Sequence, residues 1–303
     1  MPNATKRMPP ESLERLRSLV AAIQSRKADV RLGARAARAL ASIVDAPGQT
    51  AICSISEVAE AAGVNASTLT RLSKKLGYSG FNEFQDVFRQ HVADQQHFYS
   101  EQARRLLRGG GKAAPARSIA ERIAEDETAN IAGALQELDA EALGAAAQLL
   151  IAARRVRAYG ARQMHAVAYF LSYGLGMLRS DVGLLGSSEH GMAHGLAQLE
   201  QGDALIVVGC SPYTRGTVDT ARTAAGEGMD VIALTDSHAS PLAAVARYTF
   251  VCDTGGSYFS NSSAALIVLA EILLTTLAER LGARTVQQLR RREALISQLG
   301  IEF

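Results

Sequence analysis

Ser67, Thr68, Thr70, Arg71, Lys74 and Lys75 fall within one short run of the chain. Short hydroxyl side chains followed by cations suit a polyanion. The hydroxyls match base edges and phosphate oxygens, and the cations match the backbone of a nucleic acid. The same run carries Leu69, Leu72 and Leu76 at helical spacing, so the polar set and the leucine set occupy opposite faces of one helix. A second candidate is Glu189-His190-x-x-x-His194, whose histidines have a spacing that can chelate a metal. It has no clear third ligand, so a neutral hydrogen-bonding role for His190 is expected, with no metal and no cofactor. His165 and His238 stand alone and read as helix and loop residues.

The polar set needs a rigid mount. Ser54 to Phe84 reads as two short helices joined by a tight turn. Ser54-x-x-Glu57 is a capping box, in which the hydroxyl takes an orphan N–H and the carboxylate reaches back. Ile55, Val58, Ala59 and Ala62 mark one apolar face. Gly63 ends the first helix, because a left-handed backbone costs glycine little. Val64 plugs the gap between the helices, and Asn65 caps the second. This is the pattern of a helix-turn-helix; its alternative is a plain helical hairpin with a solvated polar face.

The run from Ile55-Ser56-Glu57-Val58-Ala59 through Gly63-Val64-Asn65 and Thr68-Leu69-Thr70-Arg71-Leu72 resembles the RpiR family of bacterial transcription regulators. So does the ending Leu76-Gly77-Tyr78-Ser79-Gly80-Phe81 with Asn82-Glu83-Phe84. Family members often carry Ser where this chain has Asn65, and both residues cap helices. The resemblance implies double-stranded operator DNA as a partner, read by the six residues named first.

Composition agrees. The chain has 303 residues, is 48% hydrophobic and 20% charged, and has room for two cores. Its formal charge of +2 is unevenly placed. Residues 1–110 hold about 16 Lys and Arg against 10 Asp and Glu, and the remainder about 16 against 20. The basic part is the part that contains the hairpin. Cys53, Cys210 and Cys252 lie far apart without a CxxC, which disfavours a disulfide framework and fits a reducing cytoplasm. The opening MPNATKRMPPESLERL has no apolar run after its charges, so no secretory signal is expected. The most apolar stretch, 264–278, contains Glu271, Thr275 and Thr276 and reads as a buried helix, not a membrane span.

Taken in order, Leu13 to Ile23 forms a helix stripe, and a second helix runs from about Gly33 to Val44, with Pro47-Gly48 ending it. Arg31, Arg35 and Arg38 lie at its near end. Phe81 begins a further helix toward Tyr99, which leaves the DNA-binding part and offers a surface to a partner copy. Gly109-Gly110-Gly111 with Lys112 to Pro115 is a linker. Helices resume near Ser118 and continue through Leu138, Leu143 and Leu150. Strands then alternate with helices. The strands are Val156–Gly160, Val182–Gly186, Ala204–Gly209, Asp230–Asp236 and Tyr248–Asp253. The helices between them are Gln163–Leu178, Met192–Leu199, about Gly216–Gly226 and a short one after Pro241. That rhythm predicts a parallel sheet covered on both faces, with ligands beyond the carboxyl ends of the strands.

From Ala129 to Gly282 the chain resembles the sugar isomerase (SIS) domain that accompanies the helix-turn-helix in RpiR-type regulators. In that family an S-x-S-G-x-T-like turn after a strand cradles a phosphosugar. Here it reads Gly209-Cys210-Ser211-Pro212-Tyr213-Thr214-Arg215-Gly216-Thr217. Ser211 and Thr214 match the second Ser and the Thr; Gly209 replaces the first Ser and Pro212 the Gly. Hydroxyls and free N–H groups at a helix start attract an anion, although Pro212 removes one donor. Arg215 either restores positive charge or faces solvent. After the first strand, family members often show G-x-G-x-S, whereas this chain has Gly160-Ala161-Arg162-Gln163-Met164. Arg162 either grips an anion bidentately or makes a structural salt bridge. Gly160, Arg162, His190, Ser211, Tyr213, Thr214 and Arg215 are therefore the candidate ligand contacts. Asp236 is expected to fix the loop after the fourth strand. Ser260 or Asn261 either caps the apolar helix or points into the pocket.

The expectation is an α-helical helix-turn-helix domain (1–80), a connecting helix and linker (81–125), and a doubly wound α/β domain with a five-stranded parallel sheet (126–303). The resemblance implies a DNA-binding regulator that senses a small acidic metabolite, such as a sugar phosphate, and works as a homodimer or higher oligomer without a membrane. The all-round apolar 264–278 stretch suggests burial against a second subunit. The alternative is a sugar-phosphate isomerase with a helical appendage, for which Glu189, His190 and His194 are the candidate bases.

Overall fold

The structure, a computed structural model, describes residues 8–25, 27–108, 116–186 and 191–301. Its contacts divide the chain into two units between Arg105 and Leu106.

The first unit is helical: α1 (Leu13–Gln24), α2 (Ala34–Asp45), α3 (Pro47–Ile52), α4 (Ile55–Ala61), α5 (Ala66–Lys75) and α6 (Phe81–Arg108). Pro47-Gly48, expected to end α2, instead opens α3. Proline suits a first helical position because its missing N–H would have no intrahelical partner there. Leu13, Leu16, Leu40, Leu69 and Leu76 pack with Phe84 and Phe88 in one core. Phe84 lies edge-on to Tyr78 at 5.4 Å and to Phe88 at 5.0 Å. The first turns of α6 thus complete the core of the helix-turn-helix. The Gly109–Pro115 linker lies outside the described residues.

The second unit opens with α7 (Ala116–Glu137) and α8 (Ala140–Ala152). They separate at Asp139, whose carboxylate accepts the N–H groups of Glu141 and Ala142. The alternating part follows as β1 (Val156–Gly160), a 3-10 turn (Arg162–Met164), α9 (His165–Leu178), β2 (Val182–Leu184), α10 (Gly191–Ala197), β3 (Ala204–Gly209), α11 (Arg215–Gly226), β4 (Asp230–Thr235) and β5 (Tyr248–Val251). Helices α12 (Ala264–Leu281) and α13 (Ala283–Gln298) end the described chain. The five strands are parallel in the order β2-β1-β3-β4-β5. The chain leaves β1 toward β2 and returns on the other side with β3, so the strand order reverses between β1 and β3. Ligands of open α/β sheets sit at that crevice.

β3 is buried along its whole length, and its side chains alternate between two cores. Ala204, Ile206 and Val208 meet α8, α9 and α12, whereas Leu205 and Val207 face α11. At the amino ends of the strands, Asp203 has a fully buried side chain. Its carboxylate accepts from Arg154 and from the backbone N–H groups of Arg155 and Glu200.

One further expectation is corrected here. No helix follows Pro241; Ser240 and Leu242 instead accept turn hydrogen bonds from Ala244 and Ala246. The 264–278 stretch, expected to be buried against a second subunit, is a helix that finds much of its cover inside its own domain. Leu266, Leu269, Leu273 and Leu277 are buried within their own domain, where α12 packs on α7, α8, α9 and α13. Four helices crowd around it, which is why the helix is apolar all round.

Candidate functional site

The helix-turn-helix forms as its capping residues dictate. Glu57 accepts the N–H and hydroxyl of Ser54, both at 2.7 Å, and Ser54 accepts the Glu57 N–H. Those bonds from Ser54 hold the Glu57 carboxyl below its ordinary range. Gly63 turns the chain with φ +65, and no atom would obstruct a side chain there, so backbone conformation alone selects glycine. Asn65 Oδ1 accepts from Thr68 N, Thr68 Oγ1 and Ser67 Oγ at 2.9, 2.6 and 2.9 Å. Leu69 and Leu72 are buried beneath, and Ser67, Arg71, Lys74 and Lys75 are exposed above. Thr68 and Thr70 are half-buried, and the Thr70 hydroxyl bonds back to the Ala66 carbonyl. Arg71 folds onto Ser67, with its guanidinium near both the Ser67 carbonyl and hydroxyl. The face therefore offers two hydroxyls at the helix start and three cations farther along.

The second group gathers at the carboxyl ends of β1, β3 and β4. Gly160 ends β1, and any Cβ there would lie 2.4 Å from the Met164 carbonyl oxygen. Arg162 adopts φ 56, a left-handed backbone usually left to glycine. It stands where the related G-x-G pattern has its second glycine, the residue type that adopts this backbone most readily. Its side chain is exposed.

From β3 the chain passes through Ser211, Pro212 and Tyr213 to Thr214, the N-cap of α11, whose side chain makes no capping bond. Asp236, at the end of β4, accepts the Ser211 N–H at 2.9 Å and the Tyr213 hydroxyl at 2.6 Å. Asn261 donates to the Ser211 carbonyl at 2.6 Å. Gln163 donates to the Asn261 carbonyl at 2.6 Å and accepts the Ser260 hydroxyl at 2.8 Å. One chain of hydrogen bonds thus ties the loop before α12 to the turns after β1, β3 and β4. The choice left open for Ser260 and Asn261 resolves toward this network and away from capping, since the α12 N-cap is Ser263. Gln163 is a member that the sequence pattern did not single out; an amide beside a strand end carries no spacing signal.

Not every candidate joins. Arg215 has a side chain 94% exposed and pairs with Asp219 one turn on. His190 and Glu189 lie outside the described residues, while His194 bonds Gln198 at 2.9 Å. His238 lies 3.6 Å from Glu137 on the surface. Gly209, at the place of the family's first Ser, leaves no free room, because a Cβ would come within 2.8 Å of buried Leu242. Cys210 is buried against Met164, and burial pushes its thiol up, away from reactivity. A separate cavity of about 250 Å³, lined by Leu178, Arg179, Leu281 and Arg284 among others, sits before β2 at the amino ends of the strands. Its Arg179 is spent on the carbonyls of Leu150, Arg154 and Ser180.

Among the described residues no cluster of His, Cys, Asp or Glu could hold a metal ion, and no helix is long and apolar enough to cross a membrane.

Comparison with known proteins agrees with both halves. Residues 19–95 match the helix-turn-helix domain of the rpiR family, and residues 149–278 match the SIS domain. The chain is 26% identical over 291 residues to the HTH-type transcriptional regulator HexR of Pseudomonas aeruginosa, covering 93% of this chain and 96% of that one. Its second unit resembles the sugar isomerase domain of an RpiR transcription factor from Sphaerobacter thermophilus. That match has 32% identity and a TM-score of 0.53, over 56% of this chain and 95% of that one. The fold is also that of the Vibrio vulnificus NanR protein complexed with ManNAc-6P, at 16% identity and a TM-score of 0.55, over 93% of this chain and 98% of that one. A basic helix-turn-helix with its own core, followed by a doubly wound SIS domain, places this chain in the RpiR family of transcriptional regulators.

Proposed function

We propose that this regulator reads operator DNA with α5 and senses a small acidic metabolite at the mouth of β1, β3 and β4. Ser67 and Thr68 meet base edges and the nearest phosphates, Thr70 flanks them, and Arg71, Lys74 and Lys75 hold the backbone. At the mouth, Ser211 and Thr214 offer hydroxyls, and the first N–H groups of α11, from Arg215 and Gly216, have no intrahelical partner. Arg162 adds a guanidinium from the turn after β1, with Gly160 allowing the close approach. Tyr213 contributes its ring edge, because its hydroxyl is already given to Asp236. Arg215 serves through its N–H and its long-range charge. His190 remains a proposed contact from the β2–α10 connection.

The observation that carries this reading is the uncapped start of α11 at the end of β3, beside the strand-order reversal. The relative NanR carries ManNAc-6P, which favours a phosphorylated sugar or a related sugar acid. The working form is a homodimer or higher oligomer reading two half-sites one or more turns apart. Exposed Val286 and Leu295 on α13, with Leu299 and Ile301 beyond it, offer an apolar surface for that pairing. The three free thiols suit a reducing cytoplasm.

The test has two steps. Duplexes are selected from a random library by the purified protein. A panel of sugar phosphates and sugar acids is then screened by thermal shift, since a ligand of the native state raises apparent stability by mass action. A metabolite that stabilises the protein and changes retardation of the selected duplex supports the reading. No enriched duplex sinks the DNA half, and no stabilising acid sinks the sensing half.

A further inference from the structure

Arg35 Nη2 donates to the carbonyl of Gly63 at 2.9 Å. This bond joins α2 to the turn between α4 and α5, across 28 positions of sequence. Gly63 stands two residues before Asn65, the N-cap of the helix that is read against DNA. The start of that helix approaches base edges in a helix-turn-helix complex, so a side chain pinned to the turn lies beside the duplex. A guanidinium has five N–H donors, and this bond occupies one. Arg35 is exposed, and the rest of its fork is the size and shape of a phosphate clamp.

Arg35 has company. Arg38 lies three residues on along α2, on the same side of the helix, and Arg31 lies in the segment that leads into α2. Both are exposed. Among the described residues no carboxylate pairs with Arg31, Arg35 or Arg38, although surface arginines elsewhere in this chain do take one: Arg89 pairs with Asp86, Arg117 with Glu121 and Arg247 with Asp230. These three exposed cations, one of them fastened to the recognition turn and none ion-paired among the described residues, make a positive edge that suits an anionic partner.

We propose that Arg31, Arg35 and Arg38 form a second DNA-contacting edge. It grips the sugar-phosphate backbone next to the segment that α5 reads, with Arg35 also holding the turn in place. This rests on the reading of α5 as the recognition helix. The partner is the phosphate backbone of duplex DNA, so the edge adds affinity without sequence preference.

The test uses the full-length protein, a mixed-sequence duplex and a series of KCl concentrations. Each lost phosphate contact lowers the slope of log affinity against log salt by about one. The Arg31→Ala, Arg38→Ala protein disturbs no bond seen here, so its melting temperature should match the parent while its slope falls by about one or more. Arg35→Ala should lower the slope and the melting temperature together. A double variant whose salt dependence runs parallel to that of the parent overturns the proposal. Arg71→Ala with Lys74→Ala is measured alongside. If that pair loses slope and the α2 variants do not, only the second edge fails; if neither loses slope, the assignment of α5 fails as well.

Discussion

Tyr213 gives its hydroxyl to Oδ1 of Asp236 at 2.6 Å, while Oδ2 of the same carboxylate takes the Ser211 N–H at 2.9 Å. The residue that follows β4 therefore shapes the turn that follows β3. These two donors occupy both oxygens of the carboxylate. Asp236→Ala leaves both donors without their acceptor and should destabilise the protein by about 1–3 kcal/mol. Tyr213→Phe removes one bond and should cost about 1 kcal/mol. Urea unfolding measures both, and equal stability in the two variants would mean that Asp236 does not organise the turn.

Arg162 separates backbone from side chain. Its left-handed φ of 56 strains any residue with a Cβ, by roughly 1–2 kcal/mol. Arg162→Gly should therefore be more stable than Arg162→Ala, with unfolding midpoints in that order. Both should lose effector affinity to a similar degree if the guanidinium grips the anion. Full affinity in the glycine variant would leave the arginine with no part in binding.

The hydroxyls at the start of α11 form the complementary set. If the effector's anion sits there as proposed, the Ser211→Ala, Thr214→Ala protein loses two hydrogen bonds to a charged group, each worth roughly 1.5–3 kcal/mol before compensation by water. Calorimetry with the screened effector should show affinity lower by roughly tenfold or more. DNA binding without effector should stay close to the parent. Unchanged affinity would move the anion elsewhere on the domain.

On α5, Arg71→Ala with Lys74→Ala should weaken operator binding and flatten its salt dependence by about one per lost contact. Thr68→Ala should instead change which duplexes are preferred. Asn65→Ala should cost about 0.5–2 kcal/mol of stability, because one oxygen caps the helix and holds both Ser67 and Thr68. A shift in sequence preference from Arg71→Ala but none from Thr68→Ala would reverse these roles.

Asp203 sets an acid limit on the second unit. Burial pushes its carboxyl up, but the Arg154 guanidinium and the N–H groups of Glu200 and Arg155 outweigh that and hold it below its ordinary value. A carboxyl that titrates lower in the folded state contributes stability above its unfolded pKa of about 3.9, and that contribution is lost as pH falls through the folded value. Asp203→Asn should therefore lower stability at neutral pH and flatten the loss of stability on acidification. Parallel acid-unfolding curves for variant and parent would contradict this.

Local chemistry made the helix-turn-helix legible before any fold was known. Ser54 and Glu57, Gly63 and Asn65 act within a few positions of one another, and the Leu69, Leu72 and Leu76 stripe has one simple explanation. The parallel sheet was legible for a similar reason, because a run such as ALIVVG is tolerable only where both faces are covered. Pro47-Gly48 misled because the pair serves equally as an end or a beginning, and only the packing of α3 against the core chooses between them. Tertiary structure alone decided the rest. Gln163 follows β1, Asp236 follows β4, and Ser260 and Asn261 lie in the loop before α12; nothing in their spacing reveals that they share one network. The left-handed backbone at Arg162 is imposed by the turn around it and is invisible in the residue type. The covering of 264–278 by α7, α8, α9 and α13 likewise depends on long-range packing; an apolar helix records that it is buried, and its own sequence cannot say by what.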